Sequence, residues 1–446
     1  MQIRSLKDER VVVMGLGRFG GGIAATRWLV EQGARVTVTD LSPAEKLTES
    51  LAQLEGLPVN YRLGGHDSVD LEGCRLLVIS PAVPRDRSPF VRLAVERGIP
   101  LSSEMNLFIE RCPARRVIGV TGSAGKSTTT AMIGSILTAA HEAGALPRVW
   151  LGGNIGHSLL ADLTAMSTEH VVVLELSSFQ LDDLEALRWS PPLAVITNIK
   201  PNHLDRHGTM DAYSSAKMNI VRYQPSEGRV LVHEREEEVA AQVAAAGAGE
   251  RLLRYAFDAK FQENLQVPGS HNRDNAAAAI AVARALGVAD EHIACGLESF
   301  HGLPHRLEFV ARRRDVRYYN DSKSTTPEST RIALEAFTEP VVMLVGGYDK
   351  KISLEEIGRQ LAGRAKAVIC YGQTGPDFQR EIARYGPEAA RTELAGSFEE
   401  AVSAAQRLAA PGDVVVLSPA CASYDMFTNY EQRGQLFRDL VSRLPS

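Results

Sequence analysis

The 446-residue chain is predicted to fold as an α/β protein of three domains. Three observations carry that prediction. In VVVMGLGRFGGGIAATRWLVEQGARVTVTD, residues 11 to 40, an apolar run breaks at Gly15, Gly17 and Gly20, resumes as a helix and ends in a second apolar run at Asp40. That is the spacing of a βαβ nucleotide unit, in which glycines keep the turn narrow enough for a phosphate to reach the helix start. In VIGVTGSAGKSTTTAMIG, residues 117 to 134, a strand-like run again gives way to glycines and a helix. Finally, the near-continuous apolar runs VVVLE, LAVI, VVMLVGG and VVVLSPA alternate with polar loops and helical stretches such as SFEEAVSAAQRLA, as parallel strands buried on both faces do.

Taken in order, RLLVIS running into Pro81 and an apolar helix over 90 to 95 complete a first module, residues 1–103. The second, residues 104–302, holds the glycine-lysine loop, VVVLELSSFQL, LAVITNIKPNHLDRHG and an alanine-rich helix, with GERLLRYAFDAK as a peripheral strand and turn. It ends at GLPHR, and the third module is residues 303–446. No tandem repeat interrupts the pattern.

Acidic residues (54) slightly outnumber basic ones (49) and the signs are mixed, so no basic tract marks the chain for nucleic acid or an anionic membrane. Five scattered cysteines without a CxxC spacing read as reduced thiols rather than a disulfide framework or a thiolate zinc site. The charged start MQIRSLKDER and the lack of an apolar run of ~18 residues predict a cytoplasmic protein without a membrane span.

The loop TGSAGKST departs from the strict phosphate-loop pattern, which wants a glycine where Val120 stands. Gly122 and Gly125 still permit a tight turn through Ser123 and Ala124, Lys126 offers a cation, and Ser127 or Thr128 a metal-facing hydroxyl at the opening of a helix. This is the layout for a nucleoside triphosphate and magnesium, and the plain alternative is a glycine-rich turn with an incidental lysine. Glu175 closes the VVVLE run, and Asn198 is followed by His203, Asp205 and His207. Glu175 and His203 beside a triphosphate suit magnesium better than zinc, although His203 also reads as a structural histidine. HLDRH lacks the glutamate of an HExxH protease site. Lys217, on the helix DAYSSAKMNIVR, taken alone reads as a surface lysine; conversion to a carbamate would reverse its charge and let it bridge metal.

TGSAGKST, ELSSFQL, NHLDRHG, GSHNRDN, GLPHRLE, NDSKSTTPES, GGYDK and SPACASYDMFTNYEQRG occur in the order seen in the Mur ligases, and the chain resembles that family over essentially its whole length. The resemblance implies a Rossmann-like UDP-binding first domain, a central ATPase-like domain with a phosphate loop and a Rossmann-like amino-acid domain. It implies a monomeric ligase of peptidoglycan synthesis that uses ATP and magnesium to join D-glutamate to UDP-N-acetylmuramoyl-L-alanine through an acyl phosphate. The turn Leu16, Gly17, Arg18 and Phe19, the strand end Asp40, Leu41 and Ser42, and Ser80 then lie near UDP, and Asn154 near the sugar-peptide. Lys126 and Ser127 serve phosphate and magnesium, Glu175 and His203 serve metal, Lys217 matches a carbamylated lysine, and Asn275 and Arg306 belong to the ATP site.

By the same resemblance Lys350, Thr325 and Ser423 take D-glutamate, with Tyr424 and Tyr430 packing near it, and Lys323 and Asp321 lie near phosphate transfer. His203 or Asp321 is the candidate for amine deprotonation. Ala124 stands where the family usually has asparagine, and Tyr430 where it often has phenylalanine. Three other readings remain open on single motifs: an NAD-dependent oxidoreductase from the first glycine turn, folylpolyglutamate synthase or another Mur enzyme from the nucleotide core, and a nonenzymatic nucleotide-binding module.

Overall fold

The computed structural model describes residues 5–17 and 20–445. The chain divides into two compact units, Met1–Phe257 with Asn275–Gly296, and Asp258–Asp274 with Leu297–Ser446. Seventeen strands form three sheets.

The first unit holds two of them. In one, β1 (Arg10–Met14), β2 (Arg35–Asp40), β3 (Val59–Leu63), β4 (Cys74–Ile79) and β5 (Leu101–Ser102) lie in the order β3-β2-β1-β4-β5, all parallel. The order reverses between β1 and β4, and loops leaving adjacent carboxyl ends part there, which opens a crevice. In the other, β6 (Arg116–Thr121), β7 (Val149–Gly153), β8 (Val171–Glu175), β9 (Leu193–Ile196), β10 (Arg229–His233) and β11 (Leu252–Tyr255) run in the order β11-β10-β9-β6-β8-β7, again parallel. Helices cover both faces, so the strands contain little but valine, leucine and isoleucine, and Val171 through Leu174 have no exposed surface. The segment GERLLRYAFDAK supplies β11, an edge strand as its sequence predicts.

The second unit has one sheet, β12 (Glu308–Arg313), β13 (Val316–Asn320), β14 (Val341–Gly346), β15 (Ala367–Tyr371), β16 (Arg391–Leu394) and β17 (Val414–Leu417), in the order β12-β13-β17-β14-β15-β16. Its one antiparallel pair is the edge hairpin β12–β13. The hairpin hides in the sequence because β12 is half-exposed and rich in arginine. Its turn is set by Arg314 and Asp315, both at positive φ (48° and 62°), the backbone twist that two-residue hairpin turns require. Among the described residues no helix is long and apolar enough to cross a membrane.

One glycine shows how tightly the first unit is packed. A Cβ on Gly296 would stand 2.3 Å from Cα of Ile136, on the buried side of the helix Lys126–Glu142. A backbone neighbour cannot swing aside as a side chain can, so Gly296→Ala is expected to cost about 1–3 kcal/mol. Gly363 ends the helix Glu355–Arg364 with open space around its Cα, and Gly363→Ala is expected to add about 0.5–1 kcal/mol by restricting the unfolded chain. Urea denaturation of the two variants checks the opposite signs.

Candidate active site

The carboxyl ends of three neighbouring strands, β9, β6 and β8, converge on the glycine-lysine loop. Gly122 (φ 149°) leaves β6 in a conformation open only to glycine, and a Cβ there would lie 1.9 Å from Thr197 Oγ1. The loop is clamped from the end of β9. Asn198 Oδ1 accepts from Ala124 N (3.0 Å), Asn198 Nδ2 donates to Ala124 O (3.1 Å), and Thr197 Oγ1 donates to the same carbonyl (2.6 Å). Ala124 therefore needs no side chain of its own to be held. Ser123 Oγ donates to Lys200 O (2.8 Å), accepts from Lys200 N (2.8 Å) and meets Tyr213 Oη at 2.9 Å.

Beyond the loop the helix Lys126–Glu142 starts at Gly125, and no side chain caps it. Ser127 and Thr128 sit in its first turn, where backbone amides have no acceptor within the helix, which is the arrangement that receives phosphate oxygens. Asn275 is brought to this loop as well. Its Oδ1 accepts from Thr129 Oγ1 (3.2 Å) and lies so near Gly125 that a Cβ there would approach it to 2.4 Å. Arg306 belongs to the second unit, is paired with Leu303 in an isolated antiparallel bridge, and is exposed.

Lys126 and Lys217 donate to one acceptor. Each Nζ lies 2.8 Å from the carbonyl oxygen of Gly122, and Lys126 Nζ also reaches Ser123 O (3.2 Å). Lys217 is no surface lysine, being 1 % exposed, with Thr121 Oγ1 at 3.4 Å and the ring of Tyr213 4.7 Å beneath it. Burial, reinforced by the charge of Lys126 and opposed by that of Glu175, pushes its amine down to about 7. Glu175, also 1 % exposed, takes one hydrogen bond on Oε1 from Asn154 Nδ2 (3.0 Å), while its Oε2 is buried without a partner. An orphaned carboxylate oxygen costs on the order of 1–3 kcal/mol or more unless something cationic meets it.

His203 opens the next loop at φ 53° and is exposed, with Phe179 (5.3 Å) and Tyr213 (6.4 Å) beside its ring. Partial burial and the charges of Lys126 and Lys217 lower its basicity. His207 instead meets Ser178 Oγ at 3.0 Å and stacks on Phe179. Among the described residues no three or more His, Cys, Asp or Glu side chains gather as a metal cage. The expected metal-facing set of Ser127, Glu175, His203 and Lys217 contains only two of those types.

In the first sheet, Asp40 turns its carboxylate inward. Oδ2 accepts from the amides of Leu16 (2.9 Å) and Gly17 (3.4 Å), and Oδ1 from Ser42 (2.7 Å), so Asp40 shapes the glycine turn from within. Ser80 lies against Gly15, whose Cβ would approach it to 3.0 Å, and Leu41 is 70 % exposed at the rim. Arg18 and Phe19 lie outside the described residues. Arg206 of NHLDRHG was not singled out by sequence, yet it joins the two sheets of this unit by donating to the carbonyls of Pro81, Ala82 and Val83.

In the second unit the loops after β13, β14 and β17 gather Lys323, Thr325, Lys350, Ser423 and Tyr430. Lys350 Nζ donates to Thr325 O (3.3 Å), and Lys323 Nζ lies 5.7 Å from the ring of Tyr430. Ser423 is buried, whereas Tyr424 is 68 % exposed, 6.3 Å from Tyr348. Asp321 is buried beneath the loop and already engaged, its Oδ1 accepting from Leu307 N (3.2 Å) and its Oδ2 from Ser418 Oγ (2.7 Å); burial raises its carboxyl to about 6.

The residue that sequence missed here is Arg433 of the NYEQRG segment, fully buried in the helix Tyr430–Ser442. Its guanidinium donates to Ser322 Oγ (3.0 Å), Ser322 O (2.9 Å), Cys421 O (3.2 Å from both terminal nitrogens) and Ala422 O (3.4 Å). It thus ties the loop before Lys323 to the loop before Ser423. The polar residues Glu431 and Gln432 before it give no hint of this, whereas the adjoining Gly434 marks a tightly packed face, since a Cβ there would strike His305 Nδ1 at 2.1 Å.

The Mur ligase MurD-like N-terminal domain matches residues 9–103, the Mur ligase middle domain residues 120–263, and the Mur ligase glutamate ligase domain residues 305–421. The chain belongs to the Mur ligase family and is an amide-forming ligase of that family's D-glutamate-ligase branch. Among its relatives are proteins named UDP-N-acetylmuramoylalanine–D-glutamate ligase from Roseiflexus sp. strain RS-1 (39 % identical, covering 98 % of this chain and 99 % of the relative) and from Pelotomaculum thermopropionicum (38 %, 98 % and 99 %). The fold is shared with UDP-N-acetylmuramate-alanine ligase MurC of Thermotoga maritima (TM-score 0.60, 20 % identity, covering 97 % of this chain and 99 % of that one). It is also shared with FolC of E. coli, whose structure holds DHPP and ADP (TM-score 0.52, 20 % identity, 76 % and 91 %).

Arg433→Met keeps the volume but strips donors from Ser322, Cys421 and Ala422. It is expected to destabilise the second unit by on the order of 3 kcal/mol, read from urea denaturation, and to lower affinity for the amino-acid substrate.

Proposed function

We propose that this chain adds D-glutamate to UDP-N-acetylmuramoyl-L-alanine, consuming ATP, in the cytoplasmic stage of peptidoglycan synthesis. The observation that carries the reading is the meeting of an uncapped helix start, two lysines on one carbonyl and an unpartnered Glu175 oxygen at adjacent strand ends. That cluster is short of negative charge in the loop and short of a cation at Glu175, which a triphosphate with a divalent metal supplies together. The full-length relatives carrying that ligase name support the choice of substrates. We assign residues 1–103 to the UDP-substrate domain, 104–302 to the ATP domain and 303–446 to the D-glutamate domain.

In this reading Gly122 to Thr128 and Asn275 cradle ATP with Arg306, and Lys126 turns from the Gly122 carbonyl to the phosphates. Ser127, Glu175, His203 and Lys217 would hold Mg2+, which would offset charge on the phosphate oxygens. Lys217 serves as a carbamate: its neutral amine attacks CO2, a nitrogen–carbon bond forms, one proton leaves, and the ammonium that crowds Lys126 becomes an anion. Burial of Lys217 supports this, because desolvation favours the uncharged, nucleophilic amine.

The L-alanyl carboxylate attacks the γ-phosphorus and ADP leaves, forming an acyl phosphate. The D-glutamate amine then adds to that carbonyl, the tetrahedral intermediate expels phosphate, and the amide remains after loss of a proton. Lys126 and Lys323 stabilise charge on the transferring group. Asp321, with both oxygens engaged, acts by setting the loop of Lys323 rather than by taking the proton. Lys350, Thr325 and Ser423 receive the D-glutamate carboxylates, with Tyr424 and Tyr430 alongside. Leu16, Gly17, Leu41, Ser42 and Ser80 line the UDP end, with Asp40 holding the turn, and Asn154 faces the sugar-peptide. The protein works as a monomer.

Incubating the purified chain with the UDP substrate, ATP, Mg2+ and each glutamate enantiomer, followed by mass and stereochemical analysis, tests this reading. One amide per ADP, formed with the D enantiomer, is expected. Equal yield with L-glutamate, or ADP release without amide, contradicts it.

A further inference from the structure

A second cavity opens at the far end of the second unit's sheet. It has a volume of about 470 Å³ and sits where β13 and β17 begin, whereas Asp321 and Ser418 follow their carboxyl ends. At ~3.3 Å per residue, Val316 at the start of β13 stands roughly 16 Å along the strand from Asp321, and Tyr318 reaches the cavity from mid-strand. Three arginines line it, Arg313, Arg314 and Arg407, together with Gln406 and Tyr318, and among the described residues no Asp or Glu does.

Two of the three arginines have no ion pair among the described residues. Arg312 pairs with Asp315 and Arg407 with Glu393, but neither Arg313 nor Arg314 forms an ion pair among the described residues. Arg313 is half-buried, donates once, from Nη2 to Ser442 O (3.3 Å), and keeps its Nε buried without a partner. Tyr318 is 1 % exposed, and its hydroxyl has no hydrogen-bond partner among the described residues. A buried donor left as Arg313 Nε is costs stability unless an acceptor arrives. Pro411 and Pro445 give the cavity an apolar wall, so a ligand fitting it carries a carbon framework as well as charge.

We propose that this cavity binds a small organic phosphate carrying at least two phosphoryl groups. Guanidinium forks meet the phosphoryl oxygens in pairs, the Tyr318 hydroxyl and the Gln406 amide nitrogen donate to those left over, and the prolines pack the carbon skeleton. The site is separate from the ligase chemistry and takes no part in it.

Isothermal titration calorimetry of the full chain with fructose 1,6-bisphosphate and, separately, inorganic pyrophosphate tests the proposal, with a nonhydrolysable ATP analogue and Mg2+ present to saturate the 122–128 loop. Saturable binding of the sugar bisphosphate is expected, weakening with added salt and falling about tenfold or more in Arg314→Gln and in Arg313→Gln. Arg314 and Arg407 are exposed, so Arg314→Gln and Arg407→Gln keep the fold, and a melting curve confirms it. No binding to the wild-type chain, binding of pyrophosphate alone, or undiminished binding in both of those exposed variants overturns the proposal.

Discussion

Two ammonium groups share the carbonyl oxygen of Gly122, and the central module is arranged around that crowding. Like charges held this near each other in a partly desolvated site repel, and the repulsion falls mainly on Lys217, which is buried, rather than on Lys126, which can move toward solvent. An anion at the helix start relieves it from one side. Loss of charge at Lys217 relieves it from the other. The loop itself cannot relax to ease the strain, because Thr197 and Asn198 pin Ala124 while Lys200 and Tyr213 pin Ser123.

That rigidity follows from parallel topology. Strands β9, β6 and β8 are neighbours, so three loops leave the sheet at one end within hydrogen-bonding reach of one another. The second unit repeats the principle with different chemistry. There the loops after β13 and β17 are joined by a buried arginine donating to carbonyls, with no carboxylate partner among the described residues, and by Asp321 accepting from both sides. In each unit charged groups that look reactive in the sequence are partly engaged in holding backbone, which fixes the position of the groups that remain free.

Much of this was legible in the residues. Glycines at fixed offsets after apolar runs announced both nucleotide-type turns, since few residues other than glycine tolerate those backbone angles, and the apolar strand runs announced parallel sheets. The ordered motifs then pointed to the family. What the sequence concealed depended on long-range burial. Lys217 looked like a surface lysine, although Tyr213 and Ile220, four residues before and three after, mark the buried face of its helix. Asp40 was legible as the end of a strand, but its use by the amides of Leu16 and Gly17 is a property of the folded turn. Arg433 could not be told from a solvated arginine, because the carbonyls that receive it come from residues 11 to 111 positions away. The β12–β13 hairpin was masked by its arginines, which lie on an exposed edge.

The central claim is that the buried Lys217 amine is uncharged often enough to capture CO2 and exchange a crowding cation for an anion. Carbon-13 NMR of the protein equilibrated with 13C-labelled bicarbonate at slightly alkaline pH measures this directly. The account predicts a protein-bound carbamate resonance in the wild-type chain that is absent from Lys217→Arg. Absence of the signal from the folded wild-type protein, or its persistence in Lys217→Arg, would contradict it.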